Sequence, residues 1–215
     1  VDTNSACAGI PYPLHAAAGG RVFRYDEPCI PSMFPECKPC SANYTIGDLA
    51  EVFEAHRLEW AEFGKERPWW SVLMDPRWDK KREIPVAVKE EFYNSNIGDG
   101  VLMEVLNWHI SPASRASMRA LDFGCGVGRT TMQLNEKLGF GTVVGVDQSV
   151  WHVQIARNEA RRRGFPMSDV SFTVSGPDLL GALECQRFHF VFSIIVLQHM
   201  VPPLMVVYLE QMCDA

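Results

Sequence analysis

Positive charge is scarce in this sequence. Of 215 residues, 20 are Lys or Arg against 26 Asp or Glu, for a formal net charge of −6. A nucleic-acid binder carries a basic face, so that class of partner is not expected. The compact basic run Arg161-Arg162-Arg163 reads as the solvated face of a helix. An uninterrupted apolar span is missing as well. The most hydrophobic window, residues 188–209, is broken by Gln198, His199 and the pair Pro202-Pro203, and adjacent prolines break a spanning helix. The window predicts a buried strand, a turn and a second element, with no transmembrane span. Internal repeats, low-complexity tracts and a second Cys-x-x-Cys are also absent. The sequence begins at Val1 rather than Met, with no signal-peptide pattern. The expectation is that a signal, a transit segment or further protein was removed, which leaves organelle, secretory and cytoplasmic destinations open.

What is present suits a folded chain: 47% hydrophobic and 21% charged residues exclude wholesale disorder. The length fits one domain plus an extension. Residues 1–43 hold six of the fourteen prolines and four of the seven cysteines. Proline removes hydrogen-bond donors and fixes φ, so this stretch is expected to be an extended arm without regular secondary structure. Cys7, Cys29, Cys37 and Cys40 could form two disulfides by three connectivities, remain reduced, or lend Cys37 and Cys40 to a metal site. Disulfides would require an oxidising compartment.

Residues 44–112 read as a helical segment. Thr45 and Asp48 stand at capping-box spacing, and Leu49, Val52, Phe53, His56, Trp60 and Phe63 follow at helical period, to a stop at Pro68. A second helix is expected from Val86, carrying Phe92 and Tyr93. A third runs to Ile110, with Leu102, Val105, Leu106 and His109 on one side.

Residues 113–215 alternate strand and helix. Strands are expected at Met118–Phe123, Thr142–Asp147, Val170–Val174 and Phe188–Val196, with helices to Leu138 and over Val150–Arg163. The fourth run is apolar nearly throughout, as in a parallel strand covered on both faces. The alternation predicts an open, doubly wound α/β sheet of Rossmann-like form.

Asp122-Phe123-Gly124-Cys125-Gly126-Val127-Gly128 stands where the first of these strands turns into a helix. Glycines there let the backbone bend tightly and approach a ligand, and the helix start offers free N–H groups. Asp147 closes the next strand, nineteen residues after Gly128, where a carboxylate can accept from both hydroxyls of a ribose. The dinucleotide fingerprint needs a small residue at position 129, where Arg129 stands. The spacing is instead G-x-G-x-G, and Asp122 could pair with a cationic ligand. A cationic nucleoside without phosphate is S-adenosylmethionine.

The stretch Arg119–Arg129 resembles motif I of the class I S-adenosylmethionine-dependent methyltransferases. Val143–Asp147 is similar to their second strand with its ribose-binding acid, and Phe188–Ser193 with Ile195–Met200 to their fourth strand and its loop. The likeness covers roughly residues 118–213; Trp69–Leu73 and Glu91–Tyr93 look like the helical cover of small-molecule members. The resemblance implies that Gly124, Gly126 and Gly128 line the methionine moiety, that Asp122 lies near its methionyl end, and that Asp147 holds the ribose. It places Gln148 beside the adenosine and Ser193 at the site, and offers Asp178 to the adenine. His199 would be a base beside the cleft, or a histidine that pins its loop. Cys125 reads as a small packing residue, and no metal is implied.

His189 departs from the aspartate often found where the fourth strand starts. The chain also stops at Ala215, where the family continues with three further strands, and the helix from Leu204 is only beginning. The fourth strand would then be an edge bearing Phe190, Val191, Phe192, Ile194 and Ile195. Full burial of such a side chain stabilises by about 1.5–3 kcal/mol, so half-exposure forfeits a sizeable share of a total stability near 5–15 kcal/mol. Either the protein is longer, or a protein partner, also touched by the N-terminal arm, covers the edge, or the domain is a non-catalytic relic. Two functions stand: methyl transfer from S-adenosylmethionine to a small-molecule or protein nucleophile, and a methyltransferase-like structural subunit of a larger assembly.

Overall fold

A computed structural model describes residues 23–27, 40–44, 49–79, 84–95, 99–183 and 186–215. In chain order, β1 (Phe23–Glu27) and β2 (Cys40–Tyr44) precede α1 (Ala50–Glu66), α2 (Trp70–Leu73), a 3-10 turn at Pro76–Trp78, α3 (Val86–Asn94), α4 (Asp99–His109) and α5 (Pro112–Arg115). Then come β3 (Arg119–Phe123), α6 (Arg129–Glu136), β4 (Thr142–Asp147), α7 (Val150–Arg162) and β5 (Val170–Val174). The chain ends with α8 (Leu179–Ala182), β6 (Phe190–Phe192), a 3-10 turn at Leu197–His199 and α9 (Pro202–Asp214).

These elements fall into two compact units. One comprises the chain through His56, Gly176–Gln186 and Leu197–Ala215. In it β1 and β2 pair antiparallel, Phe23 opposite Tyr44 and Glu27 opposite Cys40. This corrects the expectation of an arm without regular structure. The prolines at 11, 13, 28, 31, 35 and 39 all lie outside the two five-residue strands, so both strands keep their donors. Cys7, Cys29 and Cys37 lie outside the described residues, as do Thr45, Asp48 and the side chain of Cys40. α9 lies against β1 and α8. Pro202 and Pro203 occupy its first turn, where a missing N–H breaks no helical bond. Gln211 accepts from the Leu179 N–H at 2.7 Å and donates to Pro177 O at 3.0 Å, while the Tyr208 hydroxyl donates to Gly176 O at 3.0 Å.

The other unit, Arg57–Ser175 with Arg187–Val196, holds a parallel sheet in the order β5-β4-β3-β6. Ala120 stands opposite Val143, and Val143 opposite Val170, so these side chains share a face. Ala120, Leu134, Phe140 and Val143 form one buried cluster; Val127, Met132, Val153, Ala156 and Phe172 belong to another, joined by Trp78, Phe92 and Tyr93 from before the sheet. β6 is shorter than the run Phe188–Val196 predicts, and its three residues are half-buried. His189 extends the pairing by one step: its N–H donates to Arg119 O at 2.9 Å, and its Nδ1 accepts from the Arg119 N–H at 3.1 Å. On α4, Leu106 is buried, but Val105 and His109 are exposed, so the face expected there is narrower than its spacing implies. Among the described residues no helix is long and apolar enough to cross a membrane.

Candidate functional site

Strand order reverses at β3: β4 lies on one side of it and the later β6 on the other. In open parallel sheets such a reversal leaves a crevice at the carboxyl ends of the strands. The glycine turn stands there. Gly124, Gly126 and Gly128 have φ of 77°, 53° and 82°, a left-handed region that residues with a Cβ rarely adopt. Room for a Cβ is lacking too: at Gly124 it would run into Val196, at Gly126 into Val72, and at Gly128 into Phe172 and Ala156. The Gly124 and Cys125 N–H groups donate to Val146 O at 2.8 and 2.9 Å, which ties the turn to β4. Gly128 then caps α6.

Asp147, at the end of β4, completes the tie. Its Oδ2 accepts from the Gly126 N–H and its Oδ1 from the Ser149 N–H, each at 2.8 Å. An ionised carboxylate offers about four acceptor positions, so two amides leave capacity for further donors. Its side chain keeps 12% exposure to receive them. Gln148 follows in the bend before α7, half-buried.

Asp122 has a different partner from the cationic ligand that the sequence suggests. Its carboxylate is buried and accepts from the Thr131 hydroxyl on α6 at 2.6 Å. Burial pushes its pKa up to about 6; the Thr131 hydrogen bond opposes the rise and the Asp147 charge adds to it. Its hydrogen bond with Thr131 thus braces the first turn of α6 against β3. Cys125 is buried, and burial raises its thiol well above the ordinary range, which suits a packing residue.

Ser193 lies one residue beyond Phe192, which stands opposite Asp122 across β3 and β6. Its Oγ is buried and makes no hydrogen bond. Ile195, two residues on, is β-branched yet has φ of 57°, a strained backbone of the kind found at ligand sites. Asp178 and His199 belong to the other unit. The Asp178 carboxylate caps α8 through the Gly181 N–H at 2.9 Å. The His199 carbonyl accepts from His56 Nε2 at 2.9 Å, and its own Nε2 lies 3.3 Å from Gln198 Nε2. The glycines, Asp147, Gln148, Asp122 and Ser193 therefore share one unit, and Asp178 and His199 are placed in the second.

Sequence reasoning marked Trp69–Leu73 and Glu91–Tyr93 as a cover without saying what they touch. Val72 stands at Gly126, and the Tyr93 hydroxyl donates to Val127 O at 3.1 Å. It missed His152 altogether. This buried histidine joins Ser71 at 2.8 Å, and its place on a polar-faced helix gave no signal.

A family model for a methyltransferase domain matches residues 114–214. Residues 114–214 are thus similar to a methyltransferase domain. No curated protein matches the sequence. Among solved structures, the magnesium protoporphyrin IX methyltransferase of Synechocystis PCC 6803 with bound SAH is 16% identical at a TM-score of 0.51. That likeness covers 74% of this chain and 67% of the other. The same enzyme with bound SAM is 16% identical at a TM-score of 0.50, covering 74% and 71%. Likeness at this identity shows a shared fold. The parallel sheet thus has the Rossmann-like fold of those structures, with the glycine turn after β3 and Asp147 at the end of β4.

Proposed function

We propose that the chain binds S-adenosylmethionine at the glycine turn and transfers its methyl group to a small-molecule or protein nucleophile. The observation that carries this reading is the cradle itself. Three left-handed glycines leave no room for a Cβ, Asp147 keeps acceptor capacity beside them, and Ser193 holds a buried hydroxyl without a partner. A buried unpaired hydroxyl is destabilising, and a polar ligand at that point would satisfy it. Asp147 would accept from the ribose hydroxyls, Gln148 would border the adenosine, and Ser193 would meet the methionine portion. S-adenosylmethionine supplies an electrophilic methyl group on a sulfonium. The chain's part is to hold that methyl in line with the acceptor and exclude water, which requires few acid–base groups. A protein partner along β6, which among the described residues pairs with β3 alone, belongs to the same reading.

Titration calorimetry with S-adenosylmethionine and S-adenosylhomocysteine tests the reading. Micromolar binding of both is the expected result. A folded chain that binds neither would overturn it and leave the glycine turn as inherited architecture in a structural subunit.

A further inference from the structure

Behind Asp147 lies a buried chain of polar groups that the reaction does not itself require. The Ser71 hydroxyl, on α2, donates its single proton to Pro68 O at 2.9 Å. At its 2.8 Å contact with His152 Nε2 it must therefore accept, so Nε2 carries the ring proton. In the neutral imidazole Nδ1 is then a bare acceptor. It is buried without a hydrogen-bond partner, 3.9 Å from Asp147 Oδ1. That same oxygen holds the Ser149 N–H, and Ser149 Oγ accepts from the His152 N–H at 3.4 Å. Next to Ser71, Val72 stands on the apex of the glycine turn at Gly126. One hydrogen bond thus pins α2 where it covers the turn, and the same ring backs the acid of the proposed ribose site.

We propose that Ser71 and His152 are positioning residues for cofactor binding: the His152–Ser71 hydrogen bond latches α2 over the glycine turn, and the neutral ring leaves Asp147 free to serve its amides and the ribose. The proposal rests on the cofactor reading above. Its physical content is a linkage. Ribose hydroxyls that donate to Asp147 spread its charge, and so remove part of what would stabilise a proton on Nδ1. Binding therefore favours neutral His152, and affinity falls as acid protonates the ring. Burial already depresses the pKa of this histidine, against the opposing pull of Asp147. Asp147 is the charged group that meets the ring among the described residues; Trp60 and Gly64 from α1, Ser71 from α2 and Ser149 before α7 carry no charge.

The probe is S-adenosylhomocysteine, titrated calorimetrically into the full chain from pH 5 to 8, with melting curves to establish folding. Ser71→Ala removes the acceptor and is expected to weaken binding about tenfold, the size of effect that follows from orphaning a buried donor. Ser71→Thr keeps the hydroxyl and should restore affinity. His152→Gln retains a donor at the Nε2 position but cannot titrate, so its loss of affinity toward acid should be shallower than in the wild type. Asp122, which titrates near 6, is common to both proteins and cancels in that comparison. Wild-type affinity in Ser71→Ala, or an unchanged acid limb in His152→Gln, would overturn the proposal. If Ser71→Ala does not fold, the pH comparison of His152→Gln with the wild type still decides it. Failure of the wild type itself to bind would instead defeat the cofactor reading beneath it.

Discussion

At the scale of single residues, two aspartates on neighbouring strands have different work. Asp147 is partly open and holds two amides, whereas Asp122 is sealed beneath α6 on Thr131. Replacing Asp147 by Ala removes a charged acceptor for the ribose and releases the Gly126 and Ser149 amides. We expect S-adenosylhomocysteine binding to weaken by about 1.5–3 kcal/mol, measured by calorimetry. Unchanged affinity would take Asp147 out of the site. Asp122 predicts a pH dependence of stability. Its folded pKa, about 6, lies above the ordinary value of 3.8, so the folded state holds the proton more tightly than the unfolded one. Its contribution is therefore fully present below about pH 4 and is lost as pH rises through 6, a loss of roughly 3 kcal/mol at neutral pH. Asp122→Asn keeps an acceptor for Thr131 and cannot ionise. Urea unfolding should show a flatter stability profile between pH 4 and 6 in this variant than in the wild type. The sequence showed that Asp122 precedes the loop, but only packing showed that the Thr131 hydroxyl on α6 meets its carboxyl group.

At the scale of elements, the glycine turn is where local conformation and tertiary packing make the same demand. Gly128 has φ of 82°, and a Cβ there would press on Phe172 from β5 and Ala156 from α7. Left-handed strain of about 1–2 kcal/mol adds to overpacking of about 1–3 kcal/mol. Gly128→Ala is thus expected to destabilise the chain by about 2–5 kcal/mol in chemical unfolding; a loss below 1 kcal/mol would contradict the packing described. The strands β3, β4 and β5 were legible because β-branched and apolar runs between turn signals have few alternatives. The hairpin β1–β2 was not legible. Proline content averaged over residues 1–43 hid two proline-free windows, and strand pairing between them is a nonlocal fact. β6 was overestimated for a related reason: an apolar run states what can be buried, not how many residues find a partner in the ladder.

At the scale of the whole molecule, binding and stability are linked by mass action. A ligand that binds only the folded state stabilises it by about 2.7 kcal/mol at one hundred times its Kd. S-adenosylhomocysteine should therefore raise the melting temperature. In hydrogen exchange it should protect residues 122–128, 147–149 and 193–196 beyond any general slowing. Protection that leaves these three segments untouched would place the ligand elsewhere.

The sequence by itself determined the parallel α/β class, the glycine turn and the acid after the next strand, because each depends on short-range constraints: alternation of period, a backbone that only glycine tolerates, and spacing along adjoining elements. The tertiary structure decided the rest. Which carboxylate stays open, which histidine backs it, and that Val72 and Tyr93 close on the turn all depend on residues far apart in the chain being brought together. Burial and hydrogen-bond pairing act only after that contact is made, so no local pattern could announce them.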